Sequence, residues 1–134
     1  MKFLKDILTG FQQLPTWVQV WVVAILGPVN LVSVLFVGEP GGWIVAMLAF
    51  AGIVPNAVVL AVTRKFGREM ALSHLVFWPP LIVVLIGLLI ANPVTSFALY
   101  LWLLLLVDVI SIAFDFRDAR IWWQTRRANE RTRP

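Results

Sequence analysis

Four apolar runs, 16–37, 42–63, 72–91 and 96–114, occupy most of this 134-residue chain. Each is about as long as the roughly 20-residue helix that crosses a hydrocarbon core of about 30 Å. Charged residues are 13% of the chain and mean hydropathy is +0.89, whereas in soluble domains about a quarter of residues are charged. The expected fold is an all-α integral membrane protein. It has four transmembrane helices in a bundle, a short amphipathic interfacial helix before them, and one membrane domain over residues 1–134. The first run starts after residue 15, exceeds a signal-peptide core and lacks a small-residue cleavage site, so it reads as a retained helix.

The charge distribution sets the expected topology. All eleven lysines and arginines fall in three places: Lys2 and Lys5 at the N-terminus, Arg64, Lys65 and Arg68 in the second loop, and six arginines after residue 114. The first loop (38–42) and the third (92–95) carry none. An even number of spans puts the three basic segments on one face, and the positive-inside rule makes that face cytoplasmic. The expected location is a cell membrane of bacterial inner-membrane type, multi-pass, with both termini inside. The sequence pI near 10.4 comes from these flanks rather than from a solvated basic domain face, so nucleic acid is not an expected partner.

Before the first run, Phe3, Leu4, Ile7, Leu8, Phe11 and Leu14 share one arc of a helical wheel, and Lys5, Asp6, Thr9, Gln12 and Gln13 share the other. Residues 3–14 therefore read as a helix lying in the interface, ended by Pro15. Trp17 and Trp21 anchor the start of the first span. The basic tail, 115–134, continues the fourth helix and frays from Ala128. In it, Arg117, Arg120, Trp122, Trp123, Arg126 and Arg127 are the residues placed to meet anionic lipid headgroups or a protein partner.

Polar residues within the runs are the candidates for function, because they are costly in a bilayer and face the interior or a cavity. Gln19, Asn30 and Ser33 share a face of span 1. Gly52, Asn56 and Thr63 share one in span 2, and Tyr100, Asp108, Ser111 and Asp115 one in span 4. Span 3 offers His74 near its cytoplasmic end. The expected intramembrane polar cluster is Asn30, Asn56, Asp108 and Ser111. At 1.5 Å per residue, Asn56 and Asp108 lie roughly 10 Å inside the cytoplasmic boundary and are expected to meet. Asn30, in the outer half, is expected to reach neither, and His74 is placed to meet Asp115 or Arg64.

Asp108 has two readings. It is either a proton- or cation-handling group on a cytoplasm-facing cavity, with His74 as a second candidate, or interhelical glue bonded to Asn56 or Ser111. Pro28, Pro55, Pro79 and Pro80 each remove a helix hydrogen bond. The freed carbonyls near Asn30 and Asn56 suit either ion coordination or a packing kink. Pro79-Pro80 also allows a later start to span 3, with His74 in an interfacial turn. Gly27-Pro28-Val29-Asn30 and Val54-Pro55-Asn56-Ala57 are too short a match to establish a repeat.

The chemistry offered is sparse. There is no cysteine and one histidine, no glycine-rich phosphate loop, no cluster with metal-ligand spacing, and no nucleophile at the depth of His74. Neither an enzyme nor a cofactor or metal is expected. Two functions remain. The first is an accessory, scaffold or assembly subunit that binds other membrane subunits through its apolar faces and arginine tail. The second is a small homo-oligomeric channel or transporter with Asp108 and the proline-kinked helices lining a cytoplasm-facing cavity. A single four-helix protomer is too thin to enclose a generous pore, so this second reading requires self-association.

Overall fold

The computed structural model describes residues 1–91 and 95–132; most of the expected third loop (92–94) and Arg133 lie outside them. Regular structure in the described residues is helical throughout. α1 spans Lys2–Gln12, α2 Thr16–Phe36, α3 Gly42–Thr63, α4 Ala71–Ala91 and α5 Ser96–Arg131. Four of these, α2 to α5, are long and apolar enough to cross a membrane, which suggests a multi-pass membrane protein.

α1 ends two residues short of the expected 14. Pro15 is extended, at φ −53° and ψ 139°, and the side chain of Gln19 reaches back over this break to donate to the carbonyls of Gln12 and Leu14. α1 is anchored to the second loop. Phe11 meets Phe66 with ring centroids 5.6 Å apart, and Arg64 reaches both Asp6 (3.6 Å) and the face of Phe3 (5.6 Å). Arg68 in turn reaches Asp118 on α5 at 3.8 Å. The N-terminal helix, the second loop and the tail therefore meet at one end of the molecule.

α2 is the irregular helix. It passes from α-helix (Thr16–Val20) to a π-helical stretch (Trp21–Leu26), back to α (Gly27–Leu31), and then to a 3₁₀ stretch (Val32–Phe36). Pro28 has no N–H to give, and the widened turns just before it absorb the loss. The crowding there is real, since a Cβ on Gly27 would stand 2.9 Å from the carbonyl oxygen of Val22. α3 opens after Gly41, whose φ of 80° suits a residue without a Cβ. It closes on Arg64, which adopts a left-handed φ of 54° and whose side chain is held by Asp6 and Phe3.

The alternative of a later start to span 3 and the expected fraying from Ala128 are both overturned. α4 runs unbroken through Pro79 and Pro80, so His74 is on a helix and not in an interfacial turn. Proline's fixed φ is itself helical, and the cost is two missing N–H donors. Trp78, Leu81 and Leu85 on the same helix are fully buried in the core, and that packing holds the helix through the break. α5 continues past Ala128 to Arg131 instead of fraying there. Arg126 lies over Trp122 at 5.3 Å and reaches Glu130 at 3.4 Å, and Arg127 lies over Trp123 at 5.2 Å. These i,i+4 contacts support the last turns from within.

The core joins Val45 and Ala49 of α3, Trp78, Leu81 and Leu85 of α4, and Phe97, Tyr100, Leu101 and Leu104 of α5; Leu26, Val29 and Phe36 of α2 pack against it. α4 packs against both α3 and α5, and α2 touches the same two helices from the other side. Close approach of α3 to α4 depends on Gly52. A Cβ there would fall 2.1 Å from Nε1 of Trp78, as expected where small residues let membrane helices come together.

Candidate functional site

The intramembrane polar residues form two separate groups, not one. The first joins α2 to α5. Nδ2 of Asn30 donates to Oδ1 of Asp108 at 3.0 Å and to the carbonyl of Leu26 at 3.1 Å. Both residues are wholly buried. Ser33 donates to the Asn30 carbonyl, and the hydroxyl of Tyr100 to the Val29 carbonyl at 2.8 Å. Nε1 of Trp21 donates to Oγ of Ser111 at 3.0 Å. Every bond in this group but two links α2 to α5, so the group latches the irregular helix onto the long one.

Three expectations fail here. Asn30 was expected to reach neither partner, yet it is the partner of Asp108. Asn56 was expected to meet Asp108 and bonds elsewhere. Ser111, the other expected partner, is taken by Trp21. The reasons are geometric. Side chains lean back toward their own helix N-terminus. α2 and α5 run in opposite directions, so Asn30 and Asp108 lean toward each other and close the gap in depth. The 3₁₀ stretch adds to this, since it rises about 2 Å per residue instead of 1.5 Å. Asn56 misses Asp108 because α4 stands between α3 and α5.

The second group lies near the end where the basic segments meet. Nδ2 of Asn56 faces Nε2 of His74 at 2.7 Å, and Nδ1 of His74 faces Oδ2 of Asp115 at 2.8 Å. Oγ of Ser73 contacts Oδ1 of Asn56 and also donates to the Met70 carbonyl at 2.9 Å. With the amide as donor, the imidazole accepts at Nε2 and carries its proton at Nδ1, where the carboxylate accepts it. The result is a directed chain, from Asn56 through His74 to Asp115, spanning α3, α4 and α5. The imidazole also stacks on Trp78, with centroids 4.0 Å apart and planes 6° from parallel. His74 thus meets Asp115, one of its two expected partners, and not Arg64. Ser73 was missed in the sequence, although its place beside His74 on the same helix turn was a usable signal.

This second group borders a cavity of about 860 Å³, within the range of small-ligand sites. Its deep wall is apolar and includes Val22, Leu26, Ile53 and Trp78; its mouth carries Arg68, Asp115, Arg117 and Asp118. Asp108 and Asn30 do not border it. The tail residues expected to meet lipid or a partner lie along α5. Arg117, Arg120, Trp123, Arg126 and Arg127 are exposed and Trp122 is half-buried.

No family model, curated protein or solved structure matches the chain.

Proposed function

We propose that this chain is an accessory or assembly subunit of a larger membrane complex, a four-helix bundle with both termini in the cytoplasm that presents α5 to its partners. The observation that carries the reading is the reach of α5. Its 36 residues make a helix about 54 Å long, well beyond the core. Past Ile121, the last of its residues on the cavity, it is a charged rod with stacked Trp and Arg side chains, the residue types that anchor interfaces. The cytoplasmic placement is supported by the meeting of all three basic segments at one end. The bond from Asn30 to Asp108, which joins α2 to α5, favours a structural role for that carboxylate.

The test is purification in nanodiscs followed by native mass spectrometry. The expected result is co-purification with other membrane subunits at fixed stoichiometry, lost on truncation after Ile121 while the membrane portion still folds. Recovery only as a homo-oligomer of the chain would reject the reading.

A second reading, a small homo-oligomeric transporter, is favoured by one specific feature. The cavity at the basic end touches the Asn56–His74–Asp115 chain. On that reading His74, rather than Asp108, is the proton- or cation-handling group. Liposome flux would then vanish in His74→Ala and persist in Asp108→Asn.

A further inference from the structure

The mouth of the cavity carries a particular pattern of charge. Arg68 and Asp118 face one another at 3.8 Å and balance in sign. That leaves Asp115, whose Oδ2 accepts from His74, and Arg117, which makes no ion pair among the described residues. One carboxylate and one guanidinium therefore stand at the rim of an apolar hole. On the four-span reading the rim falls at headgroup level: Thr63 ends α3, Ala71 on the rim starts α4, and Phe114 ends the apolar run of α5. Below it, Trp78 is one helical turn deeper than His74, and the bent α2 contributes Val22 and Leu26.

We propose that this cavity holds one zwitterionic glycerophospholipid with a primary ammonium headgroup. An acyl chain fills the depth between α2 and α4, the phosphate lies against Arg117, and the ammonium donates to Asp115. The source is the surrounding bilayer, where such a molecule is already oriented with its chains inward. A purely anionic headgroup leaves Asp115 without a cation. A choline headgroup has no N–H to give the carboxylate. The site is independent of any protein partner, so it stands or falls apart from the accessory-subunit reading.

The isolated full chain is reconstituted in nanodiscs with equal parts phosphatidylethanolamine, phosphatidylglycerol and phosphatidylcholine. It is released into mild detergent, and retained lipid is read by native mass spectrometry. The expected result is one retained lipid, predominantly phosphatidylethanolamine. Asp115→Asn should lower the preference over phosphatidylcholine about tenfold, as for one lost charge-assisted hydrogen bond. Arg117→Gln should lower retention of all three lipids alike. Val22→Trp, which fills the cavity wall without touching the charges, should empty the site, and it decides the matter if Asp115→Asn does not fold. Equal retention of the three lipids, preference for phosphatidylglycerol, or retention unchanged in Val22→Trp would overturn the proposal.

Discussion

Single residues decide how α2 is held. Asn30 and Asp108 are buried where water cannot replace a lost partner, so each depends on the other. Asp108→Asn keeps an acceptor oxygen at the same place, and its thermal midpoint in detergent should stay within a few degrees of wild type. Asp108→Leu leaves the Asn30 amide with only the Leu26 carbonyl and should destabilise by about 1 kcal/mol, the scale of an interhelical hydrogen bond in a membrane. Gly52 makes the opposite demand. Gly52→Leu drives a side chain into the Trp78 indole and should cost about 1–3 kcal/mol or more, as overpacking does. Both are read by thermal unfolding of the purified chain. The type of residue at each of these places was legible in the sequence, but not the pairing. Depth along a helix axis does not include the lean of a side chain toward its own N-terminus, which moves its polar tip by a large part of a turn. Asn56 shows the same limit from another side, because nothing in a single helix states which neighbour it will have.

At the scale of elements, the four apolar helices were plain from length and hydropathy, as was the amphipathic α1. Less legible were their irregularities. Pro28 announces a disturbance in α2, but not that it takes the form of a π-helical stretch before it and a 3₁₀ stretch after. Pro79-Pro80 left a later start to the third run open, yet α4 passes through it because Trp78, Leu81 and Leu85 are locked in the core. α1 is joined to the second loop by the Asp6–Arg64 pair and the Phe11–Phe66 contact. The pair is exposed and contributes little by itself, so the aromatic contact should dominate. Phe66→Ala should free α1, seen as faster amide exchange across residues 2–12, whereas Asp6→Asn should leave exchange there close to wild type.

For the whole molecule, the arrangement of charge makes a clean topological test possible. The chain has no cysteine, so single introduced cysteines report without background. A cysteine at Gly38 should react with an impermeant maleimide from outside intact cells. One at Lys65 or Asn129 should react only after permeabilisation. The reverse pattern would turn the molecule over and place the cavity on the opposite face. That all basic segments share an end was readable from their spacing alone, since an even number of spans permits nothing else. That they touch one another, and border a cavity that α2 helps to line, was not readable.

α5 has a mechanical consequence. Asp108 and Arg131 lie on one uninterrupted helix, 23 residues apart, or about 35 Å. The helix is gripped by α2 and α4 along its first half and is held again at Asp115 by His74 and at Asp118 by Arg68. Beyond Asp118 it is a lever of 13 residues, or about 20 Å. A tilt of about 5° there would carry the tip about 2 Å sideways, from the same rise per residue. The tip is where a change of tilt at the cavity mouth would be largest.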